Sequence, residues 1–137
     1  LGEKDGTVTN SERRISRQRP FFEPRGEARA DWRIIADVAT AMGHAEGFDG
    51  QSPASVFREW ARMTAYENDG RRMLDLGGLA ASNPDCYERM TPVQWPVTPE
   101  GGTSRLFADG RFQTPSGRAR ILPVAAGGPA EATDAAF

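Results

Sequence analysis

The chain has 137 residues, the size of one ordinary domain, but alanine supplies 19 of its apolar residues, and 15 Gly and 10 Pro interrupt the rest. This is thin material for a self-sufficient core, so one loop-rich domain, or pieces of two, is expected. A net charge of −2, with acidic residues accompanying the 17 basic ones, gives no electrostatic basis for binding nucleic acid or an anionic membrane.

No apolar run approaches the roughly 20 residues of a membrane span. The opening LGEKDGTVTN is polar and lacks the apolar core of a signal peptide, which points to the cytoplasm. The single cysteine, Cys86, excludes an internal disulfide and any cysteine-ligated cluster built within the chain. The chain starts at Leu1 and ends in Ala-Ala-Phe after a Gly/Pro/Ala stretch (residues 125–136) that reads as a linker, so both ends are expected to be cuts in a longer polypeptide.

In chain order, Asp5-Gly6 marks a turn and Thr7-Val8-Thr9 a short extended piece. Arg13, Arg14, Arg17 and Arg19 follow, and Pro20, Pro24 and Gly26 break any helix there. A first helix is expected over residues 31–42, with Asp31 as N-cap and Ile35, Val38, Ala39 and Met42 as its buried face. Gly43 takes the left-handed position beyond it.

A second helix is expected over residues 53–68, with Ser52 as N-cap, Pro53 first in the helix and Val56, Phe57, Trp60 and Thr64 as its stripe. Asn68-Asp69-Gly70 ends it, and a short third helix is expected over residues 84–90, capped by Ser82 or Asn83. Pro92, Pro96 and Pro99 argue against regular structure over residues 91–103. Residues 105–108 and 111–114 flank Asp109-Gly110 as a β-hairpin, and residues 117–124 read as a further strand.

No complete catalytic constellation is present. His44 suits a helix-end cation or loop residue, with a ligand or base role as the sharper alternative. Cys86 suits a small core residue. Neither has companions at metal-ligand spacing. Gly77-Gly78 and Gly101-Gly102 do not join a strand to a helix as a phosphate-cradling loop must, and Asp75 and Asp85 suit solvated or capping roles. Residues 2–14 pack hydrogen-bonding groups around a turn. Such a segment suits either a solvated charged loop or the lining of a polar ligand, arginine being well shaped for phosphate.

Residues 3–14, EKDGTVTNSERR, are similar to the E-K-x-G-T-x-T-N-x-E-R-R segment of molybdopterin-guanine-dinucleotide oxidoreductases, a family of formate dehydrogenases and of periplasmic and assimilatory nitrate reductases. The likeness continues through Gly26-Glu27-Ala28-Arg29-Ala30-Asp31-Trp32 to about Gly43. Ser52-Pro53-Ala54-Ser55-Val56-Phe57-Arg58-Glu59, Tyr66-Glu67-Asn68, Asp75-Leu76-Gly77-Gly78-Leu79 and Pro92-Val93-Gln94-Trp95-Pro96 resemble the assimilatory nitrate reductase branch. Leu106-Phe107-Ala108-Asp109-Gly110-Arg111-Phe112 and Thr114-Pro115-Ser116-Gly117-Arg118-Ala119 resemble strands just before a C-terminal dinucleotide-binding barrel.

The resemblance implies an α+β arrangement. Residues 1–90 would end the molybdopterin oxidoreductase domain, residues 91–124 would lead through a β-hairpin toward the barrel, and residues 125–137 would be a linker. It implies nitrate reduction to nitrite by oxygen-atom transfer in the parent enzyme, with a molybdenum–bis(molybdopterin guanine dinucleotide) cofactor and a [4Fe–4S] cluster. Neither group would be fully bound by this chain, which would be inactive alone. The partners implied are the rest of the polypeptide, nitrate and an electron donor.

Thr9, Asn10 and Arg13 are the implied cofactor-binding residues, standing near the cofactor or substrate funnel, with no catalytic or metal-ligating residue in the chain. The same motif could instead be structural, Glu12 and Arg13 tying a buried loop. A formate dehydrogenase-type enzyme is the nearest alternative, and a non-catalytic interaction module describes the isolated chain. Trp32, Phe57 and Trp60 are expected to present surfaces to the rest of the parent.

Overall fold

The computed structural model describes residues 2–48, 50–80, 85–128 and 131, which divide into two compact units, residues 1–106 and 107–137. The first unit is α+β, with two small antiparallel sheets and short helices around one core.

Strands β1 (Gly6–Thr9) and β2 (Arg14–Gln18) pair antiparallel from Gly6 with Gln18 to Thr9 with Ile15. β3 (Val93–Gln94) adds to the other edge of β2, Val93 opposite Ile15. The sequence reading found β1 but not β2, and the reason lies in side-chain alternation. Side chains two apart share a face. Ile15 points into the core at 0% exposure, and the next inward position is Arg17, whose side chain is also almost wholly buried. An arginine at a core-facing position hides the period-2 pattern.

The chain from 93 to 102 is not irregular. β3, β4 (Val97–Thr98) and β5 (Gly101–Gly102) are two-residue strands, β4 pairing with β5. Pro92, Pro96 and Pro99 lie just outside these pairs, so no ladder N–H is lost and the prolines do not prevent the pairing. The Trp95–Pro96 peptide is cis.

Helix α2 (Pro53–Ala65) starts as expected. The Ser52 hydroxyl accepts from the Ser55 N–H at 3.2 Å, the Ser55 hydroxyl accepts from the Ser52 N–H at 2.7 Å, and Pro53 stands first in the helix. Its buried residues are Phe57, Ala61 and Thr64. Val56 is half-buried and Trp60 lies at the flank, 37% exposed, so the stripe is rotated toward Ala61.

The helix also ends earlier than expected, because Tyr66 turns extended. Asn68 is therefore not a helical stop but a buried hub, 1% exposed. Its Nδ2 donates to the carbonyls of Thr64 and Leu74 and to Asp75 Oδ2, and its Oδ1 accepts from the Arg72 N–H at 2.7 Å.

Helix α3 (Gly77–Ala80) lies against β4. A Cβ on Gly78 would stand 2.3 Å from the Thr98 carbonyl oxygen, so the glycine permits the approach. α4 (Asp85–Glu88) covers the middle of the expected third helix, and the expected caps Ser82 and Asn83 lie outside the described residues. The core comprises Ile15, Phe57, Ala61, Leu76, Tyr87, Met90 and Val97. Phe57, expected to face outward, is 6% exposed within it.

Helix α1 (Asp31–Ala41) corrects two expectations. Ala30, not Asp31, is the N-cap, without a side-chain cap; Asp31 sits inside the first turn and pairs with Lys4. There its negative charge meets the positive end of the helix dipole. Gly43, at φ 92°, closes the helix, with the Gly43 N–H bonded to Thr40 O and the His44 N–H to Ala39 O. The expected buried face is open: Ile35, Val38 and Met42 are 62%, 55% and 70% exposed, and Ala36 is the one buried residue of the helix.

In the second unit the expected hairpin around Asp109-Gly110 is a turn without strands. A two-residue hairpin loop of that kind needs both central residues left-handed. Here Phe107 and Gly110 have positive φ, Asp109 does not, and the Asp109 carboxylate instead accepts from the Arg111 N–H at 3.0 Å. Phe107 and Phe112 stack with centroids 4.5 Å apart. The expected strand over 117–124 is likewise absent, and Ile121, Leu122 and Val124 are exposed.

Candidate functional site

The β1–β2 turn carries Thr9, Asn10 and Arg13. The Asn10 N–H donates to Arg14 O and the Arg13 N–H to Asn10 O, both at 3.1 Å, leaving a three-residue loop whose last member, Arg13, is left-handed at φ 63°. This is a common three-residue hairpin geometry, with glycine the usual occupant of that last position. Asn10 Oδ1 accepts from the backbone N–H groups of Glu12 and Arg14, each at 3.0 Å. The asparagine thus builds the turn with its oxygen and has its amide nitrogen to offer a ligand. Thr9 and Asn10 are exposed and Arg13 is half-buried.

The Arg13 guanidinium turns away from solvent. Nη1 donates to the carbonyls of Trp95 and Thr103, Nη2 donates to the Ser104 carbonyl at 3.2 Å, and the group lies 5.7 Å from the centroid of the Trp95 ring. Gln94 Nε2 donates to Glu12 O at 3.1 Å, and the Trp95 N–H donates to Arg13 O at 3.1 Å. The turn is fastened to the segment from 94 to 104 at several points.

A second polar cluster lies at the other end of the hairpin. Arg17 holds Asp5 through two parallel bonds, Nε to Oδ1 at 3.0 Å and Nη2 to Oδ2 at 2.8 Å, and also pairs with Glu88. Its guanidinium lies 4.5 Å from the Tyr87 ring centroid, and the Tyr87 hydroxyl donates to Asp5 Oδ1 at 2.8 Å. Burial by itself would raise the pKa of Asp5, but the hydrogen bonds from Arg17 and Tyr87 outweigh it and hold the carboxyl below its ordinary value. The Tyr87 hydroxyl is pushed up, by burial first and by its bond to Asp5 second.

Sequence reasoning missed this cluster. The one available signal was two isolated charges, Asp5 and Arg17, in a segment of short strands, which by itself reads as solvated surface.

Beside Asp5 a cleft of about 240 Å³ is lined by Gly6, Thr7, Trp32, Pro53, Val56, Phe57 and Trp60. Its walls are mainly apolar, and it draws Trp32 of α1 and Trp60 of α2 to one place. His44 is exposed on its own loop, and Cys86 is a free, half-buried thiol. Asp75 caps, as expected of it: Oδ1 accepts from the Gly77 N–H at 2.8 Å.

Among the described residues no group of three His, Cys, Asp or Glu side chains could hold a metal, and no helix is long and apolar enough to cross a membrane. Thr9 and Asn10 are exposed polar residues on the turn, and the Arg13 fork behind them is directed at carbonyls.

Residues 1–41 match the molybdopterin oxidoreductase family. Over 99% of its length the chain is 48% identical to a nitrate reductase of Klebsiella oxytoca, covering 15% of that protein. Over 90% of its length it is 39% identical to a nitrate reductase of Shewanella frigidimarina, covering 14%. It is 31% identical over 89% of its length to a Staphylococcus aureus protein described as a formate dehydrogenase, covering 11%. The chain thus spans about one seventh of the curated nitrate reductases it matches. Residues 1–41 thus resemble the molybdopterin oxidoreductase family, and similarity to a segment of nitrate reductases runs along nearly the whole chain.

Proposed function

We propose that the chain is part of a larger molybdenum oxidoreductase that reduces nitrate to nitrite in nitrate assimilation in the cytoplasm, and that it contributes a wall of the cofactor or substrate site. The observation that carries this reading is the 48% identity to a nitrate reductase across 99% of the chain, against 31% for the formate dehydrogenase-type relative. That weaker likeness supports formate oxidation as the second reading.

A molybdenum–bis(molybdopterin guanine dinucleotide) cofactor, when bound, supplies the two-electron chemistry of oxygen-atom transfer, with a [4Fe–4S] cluster relaying electrons from a donor. With Cys86 as its one cysteine, this chain leaves the cluster ligands to the rest of the polypeptide. The work assigned to these residues is binding and orientation. Thr9 and Asn10 donate hydrogen bonds outward from the turn, and Arg13 contributes positive potential from behind them.

In this reading residues 1–90 close the molybdopterin domain, residues 91–124 lead toward a C-terminal dinucleotide-binding barrel and residues 125–137 are a linker. The bare face of α1 and the exposed Ile121, Leu122 and Val124 support it, since each is apolar surface of the kind a neighbouring domain covers.

The test is to purify the full-length protein, measure its molybdenum and supply a reduced viologen with nitrate or an oxidised one with formate. Nitrite formed one for one with nitrate consumed supports the assignment. Formate oxidation without nitrate reduction would shift it to the second reading, and a protein unable to take up molybdenum would overturn it. Thr9→Val, which touches no bond of the turn, is expected to raise the nitrate KM or lower cofactor content with the melting temperature unchanged.

A further inference from the structure

Arg13 occupies a backbone position that favours glycine or asparagine, at φ 63° in the closing residue of a three-residue hairpin loop. An arginine there needs a reason in its side chain. Its guanidinium is spread over three carbonyls, those of Trp95, Thr103 and Ser104, which belong to the segment that runs through β4 and β5. Beneath it lies the Trp95 ring, whose Nε1 is buried without a hydrogen-bond partner among the described residues. Trp95 therefore serves this place as a flat platform and not as a donor. No carboxylate of the described residues pairs with Arg13, so carbonyl dipoles hold the charge without cancelling it.

We infer that Arg13 is a positioning residue. Its planar fork fastens the segment from 95 to 104 behind the β1–β2 turn, which fixes the direction in which Thr9 and Asn10 are offered and leaves positive potential behind them for an anionic ligand. The geometry requires arginine specifically. Three carbonyls spread in front of a planar group match fixed N–H directions and ring stacking, whereas an ammonium is a point charge on a flexible stem. The turn itself is held by Asn10 and the backbone, so removing the fork loosens the seating of the turn and not the hairpin. The ligand half of this inference rests on the nitrate-reducing reading; the clamp does not.

The test uses the full-length protein with Arg13→Lys, Arg13→Gln, Trp95→Phe and Trp95→Leu. Amide hydrogen exchange is read at Trp95, whose N–H donates to Arg13 O, and at Thr103, whose N–H donates to Gln94 O and Pro96 O. The Leu76 N–H, bonded to Thr64 Oγ1 in the core, serves as the folding control. Arg13→Lys and Arg13→Gln are both expected to speed exchange at Trp95 and Thr103 about tenfold or more, with Leu76 unchanged. Nitrate KM should rise several-fold while kcat stays within about twofold.

Trp95→Phe should behave as wild type and Trp95→Leu as the arginine variants, so the clamp remains testable even if an Arg13 variant fails to fold. Full protection in Arg13→Lys would overturn the inference in favour of a simple charge. Unchanged exchange in all variants would overturn the clamp, and faster exchange with an unchanged KM would overturn the positioning role. A wild-type protein that does not reduce nitrate would remove the nitrate reading, while the exchange measurements would still report on the clamp.

Discussion

Helices α1 (Asp31–Ala41) and α2 (Pro53–Ala65) are similar in length and both amphipathic, yet they stand in opposite circumstances. α2 seats Phe57, Ala61 and Thr64 in the core and is closed at its start by a reciprocal Ser52–Ser55 cap. α1 buries Ala36 alone, has no side-chain cap and leaves Ile34, Ile35, Val38 and Met42 open. The difference teaches that an apolar stripe states only that a helix has something to cover. Whether the cover lies in the same stretch of chain is a separate matter, and here it does for one helix and not for the other among the described residues.

The sharpest way to break this comparison is to truncate the side chain on which α2 depends. Phe57→Ala removes a ring packed 5.6 Å, centroid to centroid, from Tyr87, and should cost about 3–5 kcal/mol in urea denaturation. A loss below about 1 kcal/mol would mean that α2 is no better seated than α1.

Next in size is Asp5→Asn, which leaves Arg17, with a side chain 7% exposed, short of one of its two carboxylates. Breaking such a pair should cost about 3 kcal/mol, near the lower bound for buried pairs because Glu88 remains. The same carboxyl sets a pH dependence. Its pKa in the fold lies below the ordinary 3.8, so its contribution is present above that value and is lost as pH falls through the lower, folded value. Melting temperature in acid should therefore fall more steeply for wild type than for Asp5→Asn. Tyr87 acts at the other limit. Its pKa is raised from 10.0, so its contribution is full below pH 10.0 and is lost as pH rises toward the folded value, a limb that Tyr87→Phe should remove.

A smaller effect is expected at the start of α2. Ser52→Ala should cost about 1 kcal/mol, the usual value of an N-cap, measured by the shift of the urea midpoint. The smallest should come from α1, where Ile35→Ser and Met42→Ser fall on open surface and should change the stability of the isolated chain by about 0.5 kcal/mol or less. The same substitutions in a full-length protein should cost several times more if a neighbouring domain covers that face. Equal effects in both settings would show that nothing does.

Much of the local structure was legible. The Ser52-Pro53 start of α2 and the Gly43 end of α1 depend on backbone groups that neighbouring residues satisfy, so a short stretch of sequence carries the whole signal. The Asp109-Gly110 hairpin was misread for the complementary reason. A turn dipeptide makes a hairpin only when its flanks can pair, and here the second flank bonds onward in the chain instead, the Phe112 N–H donating to Gly117 O and Thr114 O accepting from the Gly117 N–H. At the candidate site Asn10 is understandable from sequence as a turn builder. Nothing in the sequence joined Arg13 to Trp95, because their contact spans more than eighty residues and has no periodic signature.

By itself the sequence determined the N-terminal cap of α2, the amphipathic character of both helices and, through its family motif, the kind of protein to which the chain is related. These rest on short-range backbone chemistry and on residue identity. The tertiary structure alone decided that Arg17 could point into the core beside Asp5, that Asn68 could be a buried hub, that two-residue strands could fit between prolines and that Arg13 would face carbonyls. Each of these is a polar group or a proline whose cost is removed only by partners distant in sequence, and a linear pattern does not record which partners meet.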